Sequence, residues 1–355
     1  MRRIGNILKR IGKFLLWTIL ILVVLIGSIV IWLRIEPEEV TECTSDFRLI
    51  DTGVKVTCAP KVPTRLLPVS PSATQFFLAI GYAPAAHLTL IDQTAFLDHP
   101  QLEEPWEALT KDSYEIGGMP PNVEAVLNAN PDLVISEYDL GTVYKAAERI
   151  APIVELNQAD DWKANILTIG EVIGEEEQAA AMLADYDNRV EILRAQFDDV
   201  SAVGISTLNV RDERLVLHLP DSFGGQIITE VGFSFPDHQV EFLEENRATL
   251  PWTTFYDISE ELIELADGDA LFLYGLNDTQ FAEQGYIPTT ELVDELLEDP
   301  LFKQLSAVEN GTVYPGGNYW MRGGIYSAHA VLDDLFRYVA GVDPDEVAPN
   351  PLRQE

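Results

Sequence analysis

Apolar positions fall into three regimes along this chain of 355 residues. From Phe14 to Leu33, "FLLWTILILVVLIGSIVIWL", twenty residues pass without a charge. Residues 62–160 and 200–341 set short apolar runs against segments whose apolar side chains recur every three to four positions. Residues 161–199 keep the helical period throughout.

The alternating regimes predict strands and helices in turn. "RLLPVSP" is a strand, and "SATQFFLAIG" a helix with Ser72 as its N-cap and Gly81 as its stop. "AAHLTLI" is a second strand. Asn122 is the expected N-cap of a short helix from Val123 to Ala129, which Asn130-Pro131 ends before the buried run "LVIS". "VYKAAERI" and "APIVEL" continue the alternation. After residue 200, "AVGISTLNV", "RLVLHL", "ALFLYG" and "GTVYPGG" read as strands. "GGQIITEVG", "SEELIELADG" with Ser259 as its cap, "TTELVDELLEDPLFKQL" and "GIYSAHAVLDDLFRYVAG" read as helices. Strands and helices of these lengths predict parallel, doubly wound sheets. Between them, Leu183, Tyr186, Val190, Leu193 and Phe197 mark one face of a long helix from residue 175 to 197. It would run about 34 Å at 1.5 Å per residue, enough to cross from one domain to another.

The uncharged run 14–33 has about the length a membrane span needs. A cleaved signal carries a shorter apolar stretch, roughly 7–15 residues, before a small-residue cut site; here "RIEPEEV" follows. The reading is an uncleaved anchor. Arg2, Arg3, Lys9, Arg10 and Lys13 precede it, which places the N-terminus in the cytoplasm and the rest outside. Six of the 23 Lys and Arg lie in the first 34 residues, so 17 are left to face all 58 Asp and Glu. A surface so acidic repels phosphate backbones and excludes nucleic acid as a partner. The two cysteines, Cys43 and Cys58, follow the anchor with fourteen residues between them. An exported chain allows a disulfide there, worth about 3 kcal/mol for a loop of that size. Asp51-Thr52-Gly53, inside that loop, supplies the turn of a hairpin.

Chemistry-bearing patterns are sparse. The five histidines, His87, His99, His218, His238 and His329, have no metal-ligand spacing. No glycine-rich phosphate loop follows the first strand, and no G-x-S-x-G elbow occurs; "SFGG" and "MRGG" are too short to serve. An anchored enzyme therefore has little support, and a sensor or scaffold on the same fold is the other alternative.

Four stretches, "PPNVEAVLNANPDLVI", "YDISEELIELADGDALFLY", "DPLFKQLSAVENGTVYPGGNYW" and "AHAVLDDLFRYV", flank the long helix in order. Together they resemble the iron–siderophore and cobalamin substrate-binding proteins of ABC importers, over residues 62 to about 341. The resemblance implies two doubly wound, Rossmann-like α/β lobes joined by one rigid helix, with the ligand in the cleft between. The organisation becomes a basic N-terminus (1–13), an anchor (14–33), a stalk with a hairpin (34–61), an N-terminal lobe (62–160), connector helices (161–199), a C-terminal lobe (200–341) and a tail (342–355). It implies a ferric siderophore as ligand, no cofactor or protein-held metal, and no catalysis. Cobalamin or haem is the alternative ligand. It also implies a permease partner, met by one carboxylate on each lobe: Glu124, and Glu261 with Glu260 as a neighbour. The helix dipole alone would place acids in those first turns. Ligands of open α/β sheets lie beyond the carboxyl ends of strands. That rule selects Ser70, Tyr138, Arg211, Tyr274, Trp320 and Arg322. Aromatic faces and forked guanidinium bonds suit an anionic chelate. Trp106, Tyr114 and Trp252 read as core.

Overall fold

The computed structural model describes residues 41–88, 102–117, 121–137, 147–156, 161–211, 214–248, 250, 253–275, 289–321 and 323–353. Strands β1 (Phe47–Asp51) and β2 (Val56–Pro60) form the expected antiparallel hairpin. Asp51 Oδ1 accepts from Gly53 N at 2.9 Å, and Gly53 takes φ 75°, which glycine adopts without strain. The hairpin is packed: Ile50 and Ala59 enter the main core, Thr57 Oγ1 donates to Ile153 O at 3.0 Å, and Cys43 is bonded to Cys58.

The N-terminal lobe runs β3 (Leu66–Val69), α1 (Pro71–Ile80), β4 (Ala86–His87), α2 (Glu103–Thr110), β5 (Tyr114–Glu115), α3 (Val123–Ala129), β6 (Leu133–Ser136) and β7 (Ile153–Glu155). Strands β3, β6 and β7 form one parallel sheet, and β4 pairs β5 in parallel. Every residue of β3 and β6 is buried, as a parallel sheet covered on both faces requires. Asn122 caps α3 through its side chain, and Asn130 ends it at φ 47°, a conformation asparagine tolerates.

Two helices lead out of this lobe. Asp161 caps α4 (Trp162–Ile173), and Gly174 separates it from α5 (Glu176–Arg194). Helix α5 has 19 residues, about 28 Å at the standard rise. Leu183, Tyr186, Val190 and Leu193 are buried as their spacing predicts, while Phe197 lies past the helix end and packs its ring on Phe233.

The C-terminal lobe contains β8 (Ile205–Arg211), β9 (Arg214–His218), α6 (Phe223–Val231), α7 (Asp237–Asn246), β10 (Phe255–Ile258), β11 (Ala270–Gly275), α8 (Thr289–Glu298), α9 (Ser306–Asn310) and β12 (Val313–Pro315). Helix α10 (Ile325–Asp334) continues as a π turn over Leu335–Val339, and α11 (Pro344–Val347) follows. The strand order is β10-β9-β8-β11-β12. This sheet departs from the all-parallel expectation: β8, β11 and β12 are parallel, whereas β8–β9 and β9–β10 are antiparallel. Only two residues separate Arg211 from Arg214, too few for a crossover. Residues Glu260–Ala266 form a 3-10 segment with a kink at Leu262, and Ser259 makes no side-chain cap bond, against the expected capped α-helix.

Residues Cys43–Glu355 cohere as one unit. Its largest apolar cluster is continuous from Leu66 and Phe76 through Trp162 and Tyr186 to Phe272 and Trp320, so lobes and connector share a core. Among the described residues no helix is long and apolar enough to cross a membrane, and the expected anchor at 14–33 lies outside them.

Candidate functional site

The carboxyl ends of β3 and β6 lead into α1 and Glu137; those of β11 and β12 lead to Gly275 and to Gly316-Gly317. Ser70, which follows β3, turns out to be the N-cap of α1 in place of Ser72: its Oγ accepts from Ala73 N at 3.0 Å. Pro71 at the first helical position explains the shift, because it lacks a donor there and its fixed φ starts the helix one cap earlier. Ser72 then sits in the first turn, its buried Oγ without a partner, 3.3 Å from where a Cβ on Gly323 would lie.

Gly323 belongs to the C-terminal lobe, so this is the lobe seam. Trp162, the first residue of α4, borders the same glycine. Its ring meets Phe223 edge-on at 5.7 Å and Tyr186 at 4.9 Å, and its Nε1 is buried without a partner. Lys163 Nζ pairs with Asp187 at 2.8 Å and with Glu230 of α6 at 3.1 Å. Burial draws the lysine pKa down, but the two carboxylates outweigh it and hold it above its ordinary value. Burial, and then Glu230 beside it, push the Tyr186 hydroxyl well up. Its O–H donates to Glu230 Oε2 at 2.8 Å. The seam is thus a mixed aromatic and ionic contact between α4, α5 and α6.

Tyr274, next to last in β11, is fully buried, with its carbonyl accepting from Asn209 Nδ2 at 3.1 Å and its ring 5.5 Å from that of His218. Trp320 is also buried, stacked on Phe272 at 4.5 Å. Ser70, Tyr274 and Trp320 therefore serve as cap and wall in this conformation and present no side-chain surface to the cleft. Arg211 ends β8 opposite Arg214. Tyr138 and Arg322 lie outside the described residues, as do Trp252 and His99. Trp106 is half-buried against His87. Tyr114, expected in the core, is 53% exposed at the start of the two-residue strand β5.

Glu124 is the second residue of α3, exposed and without a hydrogen bond or ion pair among the described residues. Val123 and Leu127 beside it are exposed apolar side chains. Glu260 and Glu261 are likewise exposed and unpaired at the start of the 3-10 segment. Among the described residues no group of three or more His, Cys, Asp or Glu is placed to hold a metal ion. The sequence reading missed a seam position for Ser72 and Trp162. The Ser-Pro-Ser order at the start of α1 was the available signal for the first.

The fold is shared with solved structures. SirA of Staphylococcus aureus complexed with staphyloferrin B superposes with a TM-score of 0.68 over 82% of this chain and 98% of its own, at 22% identity. FeuA of Bacillus subtilis complexed with ferri-bacillibactin gives 0.66 over 83% and 98%, at 15% identity. In sequence, a probable siderophore-binding lipoprotein of Bacillus subtilis is 25% identical over 79% of this chain and 83% of its own length. The ferric enterobactin-binding periplasmic protein FepB of Escherichia coli is 27% identical over 77% and 85%. None of these proteins is named for a catalytic activity. A family model described as periplasmic binding protein matches residues 116–319, over half of the chain, and the chain belongs to that family.

Proposed function

We propose that this protein captures a ferric siderophore between its lobes and delivers it to the permease of an ABC importer. Relatives named for siderophores, achromobactin and enterobactin cover more than three-quarters of the chain, and this agreement carries the reading. The iron travels inside its chelator and needs no protein ligands. In this proposal Ser70, Tyr274 and Trp320 shape the cleft walls. Tyr138, Arg211 and Arg322, which the strand-end rule selects in the sequence, provide the aromatic face and the guanidinium forks for anionic oxygens. Glu124 on one lobe and Glu261 on the other, with Glu260 beside it, meet arginines of the permease; their exposure and lack of partners among the described residues support this. Residues 14–33 tether the receptor to the membrane with the lobes outside.

The test is a fluorescence titration of the full-length chain, using its six tryptophans as reporters. The ligands are ferric hydroxamate, catecholate and citrate complexes, cobalamin, haem and the iron-free chelators. Saturable quenching by one ferric class is the expected result. A response to cobalamin or haem alone would redirect the proposal to that ligand, and no response at all would reject it.

A further inference from the structure

The glycine pair Gly323-Gly324, which forms no phosphate loop, has a different use. Gly324 takes φ 146°, outside the range of ordinary side chains. A Cβ there would lie 2.2 Å from Gln75 Oε1 and 2.8 Å from Gln75 Nε2. The missing side chain is the space that Gln75 fills. Gln75 belongs to α1 of the N-terminal lobe and is 0% exposed. Its Oε1 accepts from Ser327 N at 2.9 Å, and its Nε2 donates to Ser327 Oγ at 2.7 Å.

Ser327 is the third residue of α10, whose N-cap is Gly324 and has no side chain to cap with. The free donors of a helix start need an acceptor. Here the acceptor comes from the other lobe. Helix α1 begins directly after β3, and α10 begins past β12 and the 3-10 turn Asn318–Trp320; the strand-end rule sets a ligand beyond these carboxyl ends. Ser72, one turn before Gln75, rests on Gly323. The carboxamide therefore ties the second turn of α1 to the first turn of α10 directly across the lobe seam, independently of the connector α5.

We propose that Gln75 is a positioning residue of the ligand cleft. Its carboxamide caps α10 from α1, sets the spacing of the two walls, and so selects chelates by size. The selection by size rests on the receptor reading above; the tie itself does not.

The test pairs two readouts on the full-length chain in detergent. Hydrogen exchange reports the Ser327 amide, and titrations compare a compact ligand, ferric citrate, with a bulky ferric tris-catecholate. Gln75→Met keeps the volume and removes both bonds. Gly324→Ala expels an intact Gln75, and Ser327→Ala keeps the backbone bond. Gln75→Met and Gly324→Ala are expected to speed exchange at residues 325–328 at least tenfold. They also shift the affinity ratio at least threefold toward the bulky chelate, with Ser327→Ala close to wild type. A structural role alone would weaken both ligands equally, and that result, or unchanged exchange, overturns the proposal. If Gln75→Met fails to fold, Gly324→Ala against Ser327→Ala decides. If the wild type binds neither chelate the receptor reading and the size selection fall, while the exchange rates still decide whether Gln75 ties the lobes.

Discussion

Trp320 Nε1 donates to Asp334 Oδ2 at 2.8 Å, in a place where Trp320 is 0% and Asp334 5% exposed. The Tyr319 hydroxyl donates to the same oxygen at 2.8 Å, and Arg337 Nη1 stands 4.0 Å from the other. Burial wins over these three favourable neighbours and lifts the carboxyl to about 7 from its ordinary 3.8. Aspartate sits there as a hydrogen-bond acceptor that is costly to ionise.

A folded-state pKa above the unfolded one means that the native chain holds the proton more tightly. Stability from this group is complete below about pH 4 and is lost as pH rises to about 7, with an upper bound of ~4 kcal/mol from the pKa difference. Asp334→Asn keeps an acceptor for Trp320 and Tyr319 and cannot ionise. Its melting temperature relative to wild type should rise from pH 4.5 to pH 7.5 and stay level above. A difference that is flat across this range would contradict the assignment.

Arg189, on α5, reaches three places at once. Nε donates to Ala348 O at 2.9 Å, Nη1 to His329 Nδ1 at 2.9 Å, and Nη2 pairs with Asp333. A guanidinium cannot accept, so His329 presents Nδ1 as an acceptor and carries its proton on Nε2. Arg189→Met strands Asp333 in the interior with Arg353 alone, 3.0 Å away. The expected loss is up to about 3 kcal/mol, below that of a fully unpaired buried charge because Arg353 still pairs with Asp333, and Arg189→Met/Asp333→Leu should recover part of it by removing the half-compensated carboxylate. Urea midpoints of the three chains check this, and a double variant no better than the single would refute it.

Local signals in the sequence were sufficient for helix ends and buried strands. Asn122, Gly81, the Asn130-Pro131 break and the face from Leu183 to Leu193 appear where their chemistry puts them. What local signals leave open turns on competition between neighbours or on distant contacts. Ser70 and Ser72 are both cap residues, and only the proline between them decides. "RDER" leaves room for a hairpin turn alone, but the two runs that flank it are apolar enough to pass for parallel strands. Trp320 follows a strand as a ligand residue would, yet what covers it comes from Phe272 and Asp334, 48 and 14 positions away. Gln75 and Ser327 are separated by 252 positions, and no local pattern encodes their bond.

The bond between Cys43 and Cys58 closes a loop with a sequence separation of 15 around the β1–β2 hairpin. In the chain-entropy account a loop of this size contributes about 3 kcal/mol. The hairpin puts Ile50 and Ala59 into the main core, so loosening it is expected to lower the stability of the whole unit. Cys43→Ser/Cys58→Ser should melt several degrees below wild type, and dithiothreitol should reduce wild type to the same midpoint. A double variant that melts with wild type would show that the packed strands hold the hairpin without the bond.

Under the proposed docking role, Glu124 and Glu261 should separate stability from delivery. Neither carboxylate has a partner among the described residues, and both are exposed, so Glu124→Gln and Glu261→Gln should change stability by no more than about 0.5 kcal/mol. Chelate affinity should hold as well, because α3 and the 3-10 segment at Glu260–Ala266 do not carry the cleft residues. Charge on a docking surface acts through steering and pairing with the partner. Uptake of iron-55 chelate by cells should therefore fall several-fold in each variant, and further in the pair. Glu260→Gln tests its neighbour: added to Glu261→Gln, it should deepen the loss if Glu260 substitutes. Arginine placed at both Glu124 and Glu261 should abolish uptake while the purified receptor still binds. Normal uptake by the charge-reversed receptor would leave both residues as ordinary acids at the starts of short helices, stabilised only by the helix dipole.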